Sequence, residues 1–348
     1  MTASKTLRTA DALAEAGLVE AAALPGLQAV AARYAVAVTP AMAELIAAEG
    51  AKGPISRQFL PDPAELQTRP LEQADPIGDF AHSPVEGIVH RYPDRVLLKV
   101  THTCAVYCRF CFRREMVGPD GHGALTGEAL EAALAYIAGR PEIWEVILTG
   151  GDPLVLSPRR IGELIARLGG IAHVKIVRIH TRVPAVDPEA VTPELVAALQ
   201  PPPGKAVWVA LHANHADELT PAARAACARL IDAGLPMVSQ TVLLKGVNDT
   251  PQALGDLMRA FVETRIRPYY LHHPDLAPGT GHLRPTLDEG RAVVSALRGA
   301  VSGLCQPTYV VDLPGGEGKA PAAEAWLQSD AAGEPDYATA RRPTTRRT

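Results

Sequence analysis

The 348-residue sequence has no long apolar run, no large excess of either charge and few cysteines. Crossing a bilayer takes about 20 consecutive apolar residues, and no segment approaches that length. A net charge of −4 argues against general nucleic-acid binding, which depends on an excess of cations. The N-terminal stretch also lacks the apolar core of a secretory signal peptide. We therefore expect neither a membrane nor a nucleic acid as partner, and a cytoplasmic location.

The scarcity of cysteine excludes a framework of disulfides. The chain has only five cysteines, and an odd number in a long chain is typical of a reducing compartment. Cys227 and Cys305 stand alone in the sequence. In contrast, Cys104, Cys108 and Cys111 lie within eight residues of one another. This clustering has to be explained by function.

Apolar residues are plentiful, at 47% of the chain, so a large core is expected rather than disorder. Residues 1–85 are rich in alanine and leucine and are predicted to form an N-terminal helical and extended region. Within it, we expect helices over 10–16 and 40–48. Residues 51–85 contain many Pro, Asp and Gln residues and are expected to form an extended, loop-rich arm.

Residues 86–325 alternate between short apolar runs and helical patterns. Six successive strand–helix units predict a parallel sheet, because parallel strands need crossover helices. The expected fold is therefore α/β, an open or partial (β/α)6 barrel whose chemistry lies at the carboxyl ends of the strands. Residues 326–348 carry arginines without apolar periodicity and are expected to form a flexible tail. The predicted strands cover 96–101, 146–149, 174–179, 207–211, 237–244, 267–271 and 309–311.

The clustered cysteines have the spacing C-x3-C-x2-C and directly follow the first predicted strand. Three thiolates on one short loop hold three irons of a [4Fe–4S] cluster and leave the fourth iron open to another ligand. A structural zinc site normally has a fourth Cys or His at motif spacing. Zinc binding, or three incidental cysteines, is the competing interpretation.

The run CAVYCRFCFRR resembles the cluster-binding loop of the radical S-adenosylmethionine (SAM) superfamily. The pair Arg113-Arg114 narrows this resemblance to the lysine 2,3-aminomutase family, and the likeness runs from about residue 75 to about residue 321. It implies a partial radical SAM barrel in which Cys104, Cys108 and Cys111 hold the cluster. The open iron of that cluster would chelate SAM, whose reductive cleavage yields a 5′-deoxyadenosyl radical.

The resemblance also implies residues that bind SAM. Gly150, Gly151 and Asp152 follow the second predicted strand and match the family segment that contacts the amino group of SAM. His212 and Gln240 match further contacts. Each of these residues has a simpler interpretation, as a turn or as a polar residue that satisfies the backbone at a strand end.

A second cofactor, pyridoxal 5′-phosphate (PLP), follows from the same resemblance. Lys319 comes after a Pro-Gly-Gly turn and matches the family lysine that binds PLP covalently. Arg95 matches the phosphate anchor, with Arg91 and Tyr92 as supporting contacts. Without the resemblance, Lys319 would be interpreted as an exposed loop residue and the arginines as part of a solvated turn.

Three positions indicate the substrate that the resemblance implies. Arg113 matches the arginine that pairs with the α-carboxylate of the substrate. Asp275 and Asp312 match the two aspartates that hold the ε-ammonium of lysine. The implied reaction moves the 2-amino group of L-lysine to C3 and yields β-lysine. A glutamate-specific relative would be expected to lack this acidic pair.

Some features depart from the family pattern. Longer members carry additional cysteines for a zinc ion that links subunits, whereas Thr250 occupies one such position here and no cysteine follows Cys305. We therefore expect no structural zinc and a different homo-oligomer. The short length resembles isomerases that serve lysine modification of elongation factor P.

Two further hypotheses are left open by the sequence. The same chemistry could act on a different amino-acid substrate, or the chain could be a non-enzymatic metal-binding or redox protein. For the enzyme, a reductant such as flavodoxin or ferredoxin would supply the electron.

Overall fold

A computed structural model describes residues 5–118 and 123–323, together with the backbone of 328–329 and 335–336. The central element of these residues is a nine-stranded sheet whose strands lie in chain order. A separate pair is formed by β10 (Gln328–Ser329) and β11 (Pro335–Asp336). The strands of the large sheet are β1 (Ile88–Tyr92), β2 (Arg95–Thr101), β3 (Glu145–Gly150), β4 (Ile176–Thr181), β5 (Ala206–His212), β6 (Met237–Val242), β7 (Arg267–His272), β8 (Thr308–Leu313) and β9 (Gly318–Pro321).

Strands β2 to β8 run parallel, and helices cross over between them. β1 and β9 flank this array as antiparallel edge strands. The predicted class, a partial α/β barrel, is confirmed. No helix among the described residues is long and apolar enough to cross a membrane. The crossover helices are α5 (Gly127–Ala138), α6 (Pro158–Gly169), α7 (Val183–Val186), α8 (Pro193–Ala198), α9 (Pro221–Asp232), α10 (Pro251–Glu263) and α11 (Leu287–Leu297).

Hydroxyl side chains set the starts of the long crossover helices. A Ser or Thr precedes each helix, and its oxygen accepts a hydrogen bond from a backbone N–H of the first turn, which would otherwise lack a partner. Proline follows the cap in four of these helices and fixes a φ that suits the first helical turn. The capping residues are Thr126, Ser157, Thr192, Thr220, Thr250 and Thr286.

The N-terminal region contains more helix than we predicted. The expected helices are present as α1 (Ala10–Glu15) and α3 (Pro40–Glu49), and α2 (Leu24–Ala31) lies between them. The prediction that 51–85 is extended throughout is wrong, because α4 (Pro54–Phe59) lies within it. This helix buries four of its six residues. A helix this short shows little periodicity, so tertiary packing rather than pattern determines it.

Two edge strands were also missed. Segment 91–95, expected as a turn, instead forms the end of β1, a two-residue turn and the first residue of β2. The glycine-rich segment after β8 returns as β9, which pairs with β8. The strand predicted over 237–244 ends at Val242. The expected flexible tail lies outside the described residues apart from β10 and β11, and the divisions at residues 85 and 325 stay predictions.

A buried ionic cluster joins the N-terminal region to the cysteine loop. Glu65, which is fully buried, accepts hydrogen bonds from Arg109 Nε at 3.0 Å and Nη2 at 2.6 Å. Arg114 Nη2 also donates to Glu65. Burial alone would raise the pKa of Glu65, but the two guanidinium groups outweigh it and lower this pKa. Arg109 further donates to the Ala35 carbonyl at 2.7 Å.

We expect Glu65→Gln to destabilise the fold, because the amide leaves two buried guanidinium groups without a countercharge. The free energy of unfolding should fall by about 3–5 kcal/mol, measured by urea denaturation of the chain without cofactors. Glu163→Gln is the control, since Glu163 is half-exposed and pairs with Arg159 on the surface of α6. That variant should lose about 0.5 kcal/mol or less. Equal losses in the two variants would contradict the structural role of Glu65.

Candidate active site

A cavity of about 490 Å³ runs along the inner face of the barrel. It extends from the first residues of β2 and β3 to the carboxyl ends of the parallel strands, and all of the predicted site residues line it. This convergence follows from the parallel sheet, whose strands all end at the same edge. The predicted residues on its wall are Arg91, Tyr92, Arg95, Cys104, Cys108, Cys111, Arg113, Gly150, Gly151, Asp152, His212, Gln240, Asp275, Asp312 and Lys319.

The cysteine loop forms one side of the cavity. Cys104, Cys108 and Cys111 are partly buried thiols without disulfide partners. Burial raises the pKa of all three thiols, that of Cys111 to about 11, so binding a metal would have to deprotonate them. Across the described residues, no three Cys, His or acidic side chains converge as ligands of a single ion.

Gly150 and Gly151 end β3 directly against the start of the cysteine loop. A Cβ atom on Gly150 would lie 2.5 Å from the Thr101 carbonyl oxygen, and one on Gly151 would lie 2.2 Å from that of Thr103. Gly150 also has a φ of 106°, which disfavours any side chain. These two close approaches of backbone to backbone fix the cysteine loop on the sheet. The expected contact of the glycines with SAM stays a prediction.

Asp152 connects the ends of β3 and β4. Its carboxylate accepts hydrogen bonds from the Thr181 hydroxyl at 2.7 Å, the Arg182 backbone N–H at 2.7 Å and the Leu154 N–H at 3.0 Å. Burial raises the pKa of this carboxyl despite these donors. Asp152 therefore orders the loops around the cavity, and its contact with SAM stays a prediction.

His212, the last residue of β5, is the register partner of Gln240 in β6. Burial lowers the pKa of His212 well below its usual value, so the ring is neutral at neutral pH. His212 Nε2 lies 3.2 Å from Asn214 Oδ1, and the ring centroid lies 5.6 Å from that of Phe110. Both side chains face the same cavity as the cysteine loop. Their expected contacts with SAM stay predictions.

Lys319 lies opposite Asp312 in the antiparallel pair β8–β9. Lys319 Nζ donates to both carboxylate oxygens of Asp312, at 2.8 and 2.9 Å. The Lys319 backbone N–H donates to the Tyr92 hydroxyl at 2.9 Å. The amine is therefore held inside the cavity by a short strand, not on an exposed loop.

The two predicted phosphate-binding arginines differ in their surroundings. Arg91 is already bound, because its guanidinium donates to the Ile77 carbonyl at 2.6 Å, to Asp79 at 3.2 Å and to Asp312 at 3.5 Å. Arg95 is about one-third exposed and stacks on the Tyr92 ring at 3.7 Å. Its salt bridge is with Asp94, which is exposed. Arg95 is therefore the better-placed arginine for an anion, and Arg91 organises the acidic residues.

Arg113 has a partner that we did not predict. Its Nε and Nη2 donate to Asp79 Oδ2 at 3.0 and 2.8 Å, and both side chains are buried. Burial raises the pKa of Asp79, but Arg113, Lys99 and Arg91 together outweigh it and lower this pKa. Asp79 thus fixes Arg113 on the cavity wall. A carboxylate ligand of Arg113 would share the guanidinium with Asp79.

The neighbouring carboxyls Asp275 and Asp312 shift in opposite directions. Burial raises the pKa of Asp275 to about 7, and the nearby Asp312 charge adds to this increase. Burial also acts on Asp312, but His272 and Lys319 outweigh it and bring its pKa to about 2. Asp312 is therefore ionised and paired, whereas the charges of Lys319, Arg113 and Arg284 only partly offset the effect of burial on Asp275.

Several functional candidates escaped sequence analysis. Asp79 lies in the arm expected to be extended, and nothing in the sequence linked it to Arg113. His272 Nδ1 lies 3.4 Å from Asp312 Oδ2, while its buried Nε2 has no hydrogen-bond partner within the part of the chain that is described. Arg182 contacts Cys108. Arg182 and His272 lie at the carboxyl ends of β4 and β7, a position that could have identified them.

Comparisons with known proteins agree with this geometry. A model of the radical SAM superfamily matches residues 98–258. The L-lysine 2,3-aminomutases of Acetoanaerobium sticklandii and Clostridium subterminale are 42% and 41% identical to the chain over 82% of its length, which covers 68% of each. The glutamate 2,3-aminomutase of Clostridioides difficile is 34% identical over 84% of the chain, again with 68% of the relative covered.

The barrel and the cysteine loop are those of a radical SAM protein. Within that superfamily, the chain belongs to the lysine 2,3-aminomutase family. Members of this family are isomerases, and membership implies a [4Fe–4S] cluster, SAM and PLP as cofactors. The residues present fit these groups, because one cavity combines three separate thiols, a half-buried amine and an available arginine.

The raised pKa of Asp275 predicts a pH-dependent loss of stability in the chain without ligands. The unfolded chain releases this proton near pH 4 and the folded chain only near pH 7, so the free energy of unfolding falls as pH rises between these values. Asp275→Asn has no proton to lose. The difference in free energy of unfolding between Asp275→Asn and the unsubstituted chain should therefore rise in favour of the variant from about pH 4 to about pH 7. Above pH 7 this difference should stay constant. A difference that does not change with pH, in urea denaturation at a series of pH values, would contradict the shift.

Proposed function

We propose that this protein converts L-lysine to β-lysine by moving the amino group from C2 to C3, with a [4Fe–4S] cluster, SAM and PLP as cofactors. The observation that carries the proposal is the pair Asp275 and Asp312 in the cavity of a chain of this family. Two carboxylates offset the desolvation of a buried ammonium group. Relatives named L-lysine 2,3-aminomutase support the same substrate.

In the proposed complex, this chain's residues hold the two ends of lysine. Arg113, fixed by Asp79, would pair with the α-carboxylate. Asp275 and Asp312 would bind the ε-ammonium at the other end. Bound at this site, SAM and the cluster would supply radical chemistry for hydrogen abstraction at C3, and PLP would stabilise the unpaired electron. The protein positions the reacting atoms and excludes water and oxygen.

The Lys319–Asp312 ion pair supports the acidic pair as an ammonium site. A lysine amine already occupies one of the two carboxylates, with bonds to both oxygens. If Lys319 turns toward PLP, Asp312 loses this cation and lies beside Asp275. The ε-ammonium of the substrate would restore the missing charge. A glutamate side chain would add a third carboxylate, which is unfavourable.

Lys319, held by Asp312 and Tyr92, is the residue that we propose binds PLP covalently. Arg95 would bind the phosphate, with Tyr92 beneath the guanidinium. Cys104, Cys108 and Cys111 would hold the cluster, and Gly150, Gly151, Asp152, His212 and Gln240 would surround SAM.

Four further features belong to this proposal. A flavodoxin- or ferredoxin-like reductant would supply the electron, and a reducing compartment such as the cytoplasm would suit the cluster. A homo-oligomer is expected. β-Lysine would serve either metabolism or modification of a translation factor, and an assay with free lysine tests only the shared chemistry.

Replacing Lys319 should remove PLP binding and activity together. In an anaerobic assay with iron, sulfide, PLP, SAM, dithionite and L-lysine, the unsubstituted protein should form β-lysine. Lys319→Ala should lose the visible absorption band of covalently bound PLP and all product, while the iron–sulfur absorption remains. Lys245→Ala is the control, because Lys245 is half-exposed and outside the cavity. An unsubstituted protein with intact cluster and PLP spectra but no β-lysine would refute the proposal for free lysine.

Replacing Asp275 should weaken lysine binding more than it slows the chemical step. The ammonium lies away from the reacting carbons, so its contacts act equally in the ground and transition states and their loss raises KM. Asp275→Asn should lower kcat/KM by about 100-fold, within the range for loss of one partner of a buried charge pair. Asp288→Asn, at an exposed position on α11, is the control. A normal KM for lysine in Asp275→Asn would argue against Asp275 as part of the ammonium site.

A further inference from the structure

A buried arginine contacts a cysteine of the proposed cluster loop. Arg182 follows β4, and its Nη1 donates a hydrogen bond to Cys108 Sγ at 3.1 Å. The side chain is only 7% exposed. An arginine remains protonated at any working pH, so this position brings a permanent positive charge to the sulfur. The family resemblance did not point to this residue, and the reaction described above does not use it.

The rest of the guanidinium is held in place. Arg182 Nη2 donates to Glu218, which is fully buried, and to Gln58 Oε1 at 3.0 Å. The guanidinium carbon lies 4.8 Å from the centre of the Phe59 ring and 5.5 Å from that of Phe110. Polar and aromatic contacts on several sides therefore prevent it from turning away from Cys108.

Glu218 is itself fixed by the backbone. Its Oε1 accepts from the N–H groups of Asn214 and His215 at 2.7 and 3.0 Å and from Gln58 Nε2 at 3.1 Å. Gln58 lies on α4, and its carbonyl accepts from the Arg109 N–H at 2.8 Å. Gln58 thus links the N-terminal region to the cysteine loop in two ways. Its backbone carbonyl binds Arg109 of the loop, and its side chain binds both members of the Arg182–Glu218 pair.

We propose that Arg182 is a positioning residue that holds the Cys108 thiolate and raises the reduction potential of the cluster, while Glu218 limits that increase. Reduction adds negative charge to the cluster. A hydrogen bond and a cation at a ligand sulfur stabilise the reduced form more than the oxidised form. A buried carboxylate beside the cation partly cancels its charge and therefore lowers the reduction potential of the cluster. The inference depends on the proposed cluster, but not on the identity of the substrate.

The test is an EPR-monitored redox titration of the reconstituted protein, with iron and sulfide content measured for each variant. Arg182→Met should lower the ratio of reduced to oxidised cluster at least tenfold at a fixed solution potential, which corresponds to a shift of about 59 mV to more negative values. Arg182→Lys retains the charge and should shift less. Glu218→Gln removes the opposing charge and should shift the potential to more positive values.

Arg284→Met is the matched control. Arg284 is similarly buried and pairs with Glu72 at 3.1 Å, but its other bonds go to the Asp275 carbonyl and the Thr280 hydroxyl. This variant should lose stability without a shift in potential.

If Arg182→Met does not fold, the reduction potential of Glu218→Gln still tests the inference. Full clusters with unshifted potentials would overturn this inference alone, whereas an unsubstituted chain that binds zinc or no iron would overturn the proposed function as well.

Discussion

The site depends on one constraint, the parallel alignment of strands β2 to β8. Parallel strands end at a common edge, and each end here delivers a different functional group to the same cavity. The cysteine loop follows β2, the paired glycines lie at the end of β3, and Arg182 follows β4. Residues far apart in the sequence are neighbours for this reason alone. The antiparallel β9 completes the arrangement, because its register with β8 puts Lys319 opposite Asp312.

The N-terminal region serves the site although it contributes no residue to the parallel sheet. Glu65 neutralises Arg109, which lies between two cysteines of the loop. Gln58 binds both Arg182 and Glu218. Asp79 binds Arg113 and Arg91. Each contact places a buried acid or amide against an arginine of the cavity wall or, for Arg109, of the cysteine loop, and removing either acid would leave an uncompensated charge. The region therefore stabilises the charges on which the site depends.

The sequence predicted the parts of the fold that local pattern determines. Apolar runs located the parallel strands, helical patterns located most of the crossover helices, and the cysteine spacing located the loop. The missed features depend on contacts between distant residues. Arg113 and Asp79 are 34 positions apart, and Arg91 and Asp312 are 221 positions apart. No local pattern reveals such pairs, so the ionic partners of correctly identified residues became visible only in the folded chain.

The opposite pKa shifts of Asp275 and Asp312 indicate that this cavity favours a cationic ligand. Asp312 has Lys319 and His272 beside it and stays ionised. At Asp275 burial and the Asp312 charge outweigh the charges of Lys319, Arg113 and Arg284, so its carboxyl keeps a proton up to near neutral pH. A ligand with an ammonium group between them would displace that proton and replace the charge of Lys319. A neutral or anionic ligand could do neither. The selectivity that we propose for lysine thus depends on an imbalance of charge that is already present before any ligand binds.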